Sequence, residues 1–353
     1  MIYLITGGAG FVGSSLAISL KRKYPGSKVI ALDNLKRRGS ELNLPRLRQY
    51  GIEFVHGDIR NKEDLAGISS VDSIIECSAE PSVLAGYNSS PDYLINTNLL
   101  GTVNCLEFAR AYKACFIMLS TSRVYPFKYI NALNHYETEN RFELEDNQTI
   151  PGSSNEGITE DFPLTDVRSL YGTTKLASEL LIMEYADMYG LNVVINRCGV
   201  LTGPWQFGKT DQGVVALWSA KHFWNQELSY IGFGGRGKQV RDILHVDDLF
   251  RLIDIQLNNI EEVNKEVFNV GGGRKVSVSL KELTQLCQRY TGNNIHIKRV
   301  LENRPADIRI YLTDNSKITK TTGWKPQITV EDIIEEIVVW IKNNEKQLEG
   351  VLK

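Results

Sequence analysis

Short apolar runs alternate with longer stretches of helical periodicity through the first half of the chain. Residues 2–6 form one such run, and apolar positions then recur at helical spacing to about Lys23. Further runs cover 28–32, ending at Asp33, then 52–56, 73–76, 115–120 and 193–196. The stretches 93–112 and 171–189 are rich in apolar positions at helical spacing. Strands alternating with helices predict an α/β fold with a doubly wound, Rossmann-type parallel sheet. Beyond residue 198 the pattern changes. Gly203-Pro204 is a turn signal, 214–224 has helical spacing, and the glycine-rich loop from Gly232 to Gly237 leads to Arg241-Asp242. His245-Val246-Asp247-Asp248 opens another helix, and 330–341 reads as a closing one. The triplet Gly271-Gly272-Gly273 is followed by a polar strand and not a helix, so it reads as a tight turn between lobes.

With 353 residues the chain is long for one core, so two lobes are expected. Residues 1–198 are read as a nucleotide-binding domain carrying an insertion at 126–168. Residues 199–353 are read as a smaller C-terminal α/β substrate lobe, with 238–262 returning to the first domain. The insertion is polar and loop-like from 131 to 166, with Pro151-Gly152-Ser153-Ser154-Asn155 at its centre. A segment of that length without a clear period is read as a lid over the substrate or, nearly as readily, as surface decoration.

Candidate chemistry sharpens this picture. Thr6-Gly7-Gly8-Ala9-Gly10-Phe11-Val12-Gly13 joins the first strand to the first helix. Gly7 suits the tight turn, Gly10 lets a pyrophosphate approach the backbone, and Gly13 lets the helix pack on the strand. The diphosphate then meets the positive end of a helix. Asp33, twenty residues after Gly13, can hold ribose hydroxyls and repel a 2′-phosphate, which favours NAD over NADP; Lys36, Arg37 and Arg38 act against that preference. Asp58 can accept from an adenine amino group or cap a helix. Tyr171 and Lys175 lie four apart, on one face of a helix. An ammonium beside a phenol favours the phenolate and is expected to bring its pKa down. Such a pair can take a proton from an alcohol while a nicotinamide takes the hydride.

Composition excludes several classes. A formal net charge of −2 argues against a nucleic-acid or membrane footprint, and no apolar run approaches membrane-spanning length. The N-terminus enters a strand at once, without the marks of a signal peptide. Five scattered cysteines, no Cys-x-x-Cys and dispersed histidines suggest reduced thiols in a cytoplasmic protein and no metal site.

The glycine motif, Asp33-Asn34-Leu35, Gly57-Asp58-Ile59 and Tyr171-x-x-x-Lys175 together resemble the extended short-chain dehydrogenase/reductase superfamily of nucleotide-sugar epimerases and dehydratases. The resemblance runs through nearly the whole chain and implies bound NAD. Cofactor contacts are then expected from Gly7, Gly10, Phe11, Val12, Gly13, Asp33, Asn34, Asp58, Ile59, Ser78, Ala79, Tyr171, Lys175 and Cys198. Thr121, four before Tyr125, falls where the family's catalytic Ser or Thr sits, bridging the substrate hydroxyl and the Tyr171 phenol. The family's 4,6-dehydratases carry Asp-Glu in the next two positions, and its decarboxylases carry Glu in the second; here they are Ser122 and Arg123. A hydroxyl, a polar residue and a basic one resemble the CDP-paratose (CDP-tyvelose) 2-epimerase branch. So do Gln206-Phe207, Asp211-Gln212-Gly213 and Gly237-Lys238-Gln239-Val240-Arg241-Asp242.

That branch oxidises C2 of the sugar with bound NAD, rotates the keto-sugar and returns the hydride to the opposite face. The resemblance sets Ser122, Arg123, Gln206, Phe207, Gln239, Arg241, Arg304 and Asp307 around a nucleotide-diphosphate sugar. Arg241 and Arg304 would contact the diphosphate, and Asp307 the nucleoside. Departures from the family are Pro126 after Val-Tyr, Glu76 and Glu80 for His and Gln, and Cys198-Gly199 for His and Ser. A UDP-sugar 4-epimerase would use the same triad, and a non-catalytic NAD-binding protein would keep the fold. The apolar faces of 93–112 and 171–189 suggest a homodimer or homotetramer built on a four-helix bundle.

Overall fold

Seven apolar runs become the strands of one sheet in a computed structural model that describes residues 1–208 and 212–353. They are Ile2–Thr6 (β1), Lys28–Asp33 (β2), Glu53–His56 (β3), Ser73–Glu76 (β4), Cys115–Thr121 (β5), Val193–Cys198 (β6) and Glu266–Val270 (β7). Their order is β7-β6-β5-β4-β1-β2-β3, and every neighbouring pair is parallel. Parallel strands covered on both faces read as unbroken apolar runs, as Val29, Ile30, Ala31 and Leu32 do here, all buried. Helix Phe11–Lys23 (α1) packs against one face beside Val246–Asn258, through Leu16, Ala17 and Leu20 against Leu249, Leu252 and Ile253. Helices Gly101–Tyr112 (α2) and Leu170–Tyr189 (α3) cover the other, through Leu106, Ala109, Ile182 and Ala186. Strand order reverses between β1 and β4, and the crevice at the carboxyl ends there is where such sheets bind ligands.

The stretch 93–112 is not one regular helix. Asp92–Ile95 runs into a π-turn at Asn96–Leu100 before α2 begins. Such bulges often sit at functional sites. Here the turn aims Asn98 at the loop after β4: its Oδ1 accepts from Glu80 N (2.8 Å) and its Nδ2 donates to Glu80 O (3.1 Å).

A small sheet of Val200–Thr202, Val240–His245, Ser277–Ser279 and Ile310–Tyr311 forms the second lobe. Helices Val214–Phe223, Leu280–Thr291 and Val330–Asn343 enclose its core. The boundary between lobes differs from the one read in the sequence. Residues 240–245 stay in the small sheet, the return to the large sheet extends to β7, and Ile318 and Trp324 also pack into the first core. The buried Asp248 fixes that last crossing, since its carboxylate accepts from Gln327 N and Ile328 N (both 3.0 Å).

The insertion is a packed element. It contains the helix Phe127–Asn131 and two hairpins, His135–Glu137 with Phe142–Leu144 and Ser153–Ser154 with Gly157–Ile158. Phe142, Leu144, Ile158 and Phe162 bury against Val240, Ile310, Tyr311 and Leu312 of the second lobe. Strands of two or three residues are too short to print a period, which is why the segment reads as loop. Among the described residues, no helix is long and apolar enough to cross a membrane.

Candidate active site

The loop after β1 is shaped for close approach. Gly7 has φ +63°, and a Cβ there would lie 2.9 Å from the Cys77 carbonyl. A Cβ on Gly13 would come 2.2 Å from the Gly7 carbonyl oxygen. Helix α1 then starts at Phe11 and Val12 with Gly10 as N-cap, no side-chain cap and no acid in its first turn. Its first N–H groups are therefore left for an anion, and this cradle fits a dinucleotide diphosphate. Asp33 closes the loop, accepting from Ala9 N (3.1 Å) and Leu35 N (2.7 Å). Burial raises its pKa against those bonds. Ser78 N donates to Thr6 Oγ1 (3.4 Å), placing Ser78 and Ala79 beside the same loop.

At the adenosine end the Asp58 carboxylate accepts from Arg60 (2.6 Å) and from Asn34 Nδ2 (2.8 Å), and it does not cap the following helix. Burial pushes its pKa up, but those hydrogen bonds outweigh it and hold the carboxyl at about 2. Ile59 turns its side chain into the core, against Gly101. The cations after Asp33 have other partners. Lys36 Nζ lies 3.7 Å from the centre of the Tyr93 ring, with Arg60 also over that ring. Arg37 donates to Phe207 O (2.7 Å) and to Gln212, and Arg38 to Gly350 O.

Tyr171 and Lys175 occupy the first turns of α3, whose N-cap Ser169 accepts from Gly172 N (3.2 Å). Gly172 is needed where it stands, because a Cβ would come 2.0 Å from the Arg123 carbonyl oxygen. Thr121 ends β5, and its hydroxyl accepts from Arg123 N (3.2 Å). Farther along α3, Glu179 takes Arg197 of β6 (2.8 Å) and Ser120 of β5, which pins the helix beside Thr121. Lys175 is buried with its Nζ 3.9 Å from Glu76 Oε2. Burial raises the Tyr171 pKa, and the opposing influences are the Thr121 hydrogen bond and the Arg123 guanidinium. Cys198, across from Thr121 in the sheet, is a buried thiol whose pKa burial pushes up to about 12.

On the sugar side, Ser122 begins a tight turn, and Arg123 Nη1 donates to Ala306 O (3.2 Å). Arg241 Nη2 contacts Asp307 Oδ1 (3.1 Å) and Ile308 O (2.6 Å), and burial lowers the Arg241 pKa to about 10. Asp307 thus holds Arg241 here. Arg304 lies on the same loop, its carbonyl accepting from Asp307 N. Gln239 is buried, donating to Ile231 O (2.9 Å) with its Oε1 unpartnered.

Two expected substrate residues have partners within the protein. Gln206 spends its amide on Leu201 O (2.8 Å) and Thr202 Oγ1 (2.9 Å), bracing its own turn. Phe207 packs into the second core against Trp340 and Gly39. Asp211 lies outside the described residues. A small hollow beside Ser169 is lined by Arg123, Tyr125, Phe127 and Arg168. Arg168 and Asn98 escaped the sequence reading, since neither belongs to a motif; the one hint was the serine N-cap directly after Arg168.

The chain matches the model of the NAD dependent epimerase/dehydratase family over residues 3–271. It is 34% identical to a CDP-paratose 2-epimerase from Salmonella typhi, with 96% of this chain and 99% of that one covered. It is 27% identical to a UDP-glucuronate 4-epimerase from Thermodesulfobacterium geofontis, covering 99% and 98%. Among solved structures it is similar to a dTDP-glucose 4,6-dehydratase from Bacillus anthracis in complex with NAD, with a TM-score of 0.79, 26% identity and 99% of each chain covered. A UDP-glucose 4-epimerase from Thermotoga maritima with UDP-glucose gives a TM-score of 0.76 at 26% identity, covering 98% of this chain and 100% of that one.

Proposed function

The chain belongs to the NAD-dependent epimerase/dehydratase family, and from that premise we propose that it inverts C2 of a CDP-hexose. It is an NAD-dependent enzyme of sugar-nucleotide chemistry. The observation that carries the finer reading is Thr121-Ser122-Arg123. Both positions that would hold an acid and a base for eliminating water hold a hydroxyl and a guanidinium instead. The most similar of the relatives named above, a CDP-paratose 2-epimerase, supports the same reading.

Bound NAD supplies the hydride acceptor, and then the donor, for one ring carbon. The protein's residues do the rest. Thr121 aligns the substrate hydroxyl with the Tyr171 phenol, which takes the proton as base and returns it as acid once the keto-sugar has turned over. Arg241 and Arg304 are proposed to anchor the diphosphate while the sugar rotates, with Asp307 releasing Arg241 to it. Gln239 Oε1, buried and unpartnered, is an acceptor for a sugar hydroxyl.

Incubation with CDP-, UDP- and GDP-hexoses in deuterated water tests the chemistry. A returned hydride leaves no carbon-bound deuterium at the inverted centre, and incorporation there rejects the mechanism. Product NMR separates inversion at C2 from the second reading, a UDP-sugar 4-epimerase, which the UDP-glucuronate 4-epimerase relative favours. The outward apolar residues Leu180, Met188 and Tyr189 of α3 and Tyr112 of α2 support a homodimer through these helices.

A further inference from the structure

A second pair of arginines lies at the start of α3, apart from Arg241 and Arg304. Gly172, in the first turn of that helix, brings them together. A Cβ there would come 2.0 Å from the Arg123 carbonyl oxygen and 3.2 Å from Arg168 Cγ. Both arginines line the hollow beside Ser169, about 180 Å³ in volume, whose apolar wall includes Val83, Phe127 and Ala306.

Each guanidinium donates only to neutral acceptors among the described residues. Arg123 Nη1 donates to Ala306 O (3.2 Å), and Arg168 Nη2 donates to Leu164 O and to Asp166 O (3.0 Å). A backbone carbonyl takes a hydrogen bond but leaves the charge uncompensated, which is costly where water is partly excluded. The nearby carboxylates are engaged with other cations. Asp307 Oδ1 meets Arg241 Nη2 at 3.1 Å, and Asp166 Oδ1 lies 3.6 Å from Lys128 Nζ. Tyr125, also on the wall, gives its hydroxyl proton to Asn269 Oδ1 (2.8 Å).

Two guanidinium forks with donors to spare, beside apolar carbons, match a carboxylate better than a sugar hydroxyl. The hollow meets α3 at Ser169, two residues before Tyr171, so a group seated there belongs to the sugar and lies near the reacting carbon. Arg241 and Arg304, proposed above for the diphosphate, do not line it. We propose that the hollow between Arg123 and Arg168 binds a carboxylate on the sugar, so that the enzyme takes a nucleotide-linked uronic acid in preference to the neutral hexose. This deepens the epimerase reading of the same site and rests on it for the nucleotide sugar.

Calorimetry on the NAD-loaded Tyr171→Phe enzyme, in which turnover is suppressed, tests this. The probes are UDP-glucose against UDP-glucuronate, and CDP-glucose against CDP-glucuronate. With either base the uronate should bind on the order of 10- to 100-fold more tightly, as charge-assisted hydrogen bonds to one carboxylate allow. Arg168→Gln should remove most of that ratio, and Arg168→Lys should keep part of it. Equal affinities for the acidic and neutral sugars overturn the proposal. So does an Arg168→Gln enzyme that loses UDP-glucose, UDP-glucuronate and UDP by the same factor, since that places a phosphate in the hollow. If Arg168→Gln does not fold, the parent ratio and Arg168→Lys decide. An enzyme that prefers uronates yet inverts no carbon sinks the epimerase reading and leaves this one standing. One that inverts neutral CDP-hexoses and shows no preference for the acid sinks this one alone.

Discussion

Asp242 is buried in the small sheet, and among the described residues no ion pair holds it. One oxygen accepts from both Gly273 N and Thr313 N (3.1 Å each), and the other has no partner. This carboxylate gathers the glycine turn after β7, where a Cβ on Gly271 would come 2.2 Å from Asp242 Oδ2. Burial pushes its pKa up to about 6, above the unfolded value. The folded state then holds the extra proton between about pH 4 and 6, so this group lowers stability as pH rises through that window. Asp242→Asn can keep both backbone bonds. It should gain on the order of 2 kcal/mol over the parent at pH 7.5 and almost nothing at pH 4, read from urea unfolding midpoints. For the reaction itself, Tyr171→Phe should cost roughly 100- to 10,000-fold in kcat while leaving bound NAD in place, measured by turnover and by cofactor absorbance. The places of Gly7, Gly13, Asp33, Thr121 and Tyr171 in the fold were legible because each sits at a fixed offset from a strand or helix end. The pairing of Glu76 with Lys175 was not, since it joins β4 to α3 and no spacing records it. The contacts of Gln206 and Phe207 were not legible either, as a matching motif does not say which way a side chain turns.

At the scale of elements, β1 to β6 could be read almost to the residue, because strands buried on both faces are continuous apolar runs. The π-turn at Asn96–Leu100 was invisible, since one extra residue per turn barely disturbs an apolar stripe. The insertion reads as loop in the sequence, yet it is a folded and packed element. Phe162 within it is buried edge-on against Tyr125, with ring centres 5.6 Å apart. Phe162→Ala should therefore cost about 3–5 kcal/mol of global stability, measured by chemical denaturation. A detachable lid would instead show no loss and only a raised KM.

For the molecule as a whole, the proposed homodimer would rest on the outward face of α3. Leu180 and Met188 expose about two thirds of their surface, 64% and 66%. Leu180→Asp combined with Met188→Asp should yield a monomer in sedimentation velocity, with the fold intact by circular dichroism. Two lobes were foreseeable from length, but not how thoroughly the chain weaves between them. It leaves the large sheet after β6, comes back for Val246–Asn258 and β7, crosses to Ser277–Ser279, returns with Ile318 and Trp324, and departs again for the helix Val330–Asn343. Neither half is a contiguous segment that could be expressed alone. A protease that nicks one crossover would leave both fragments clasped, so cleaved enzyme should migrate as a single species on a native gel and separate only in detergent.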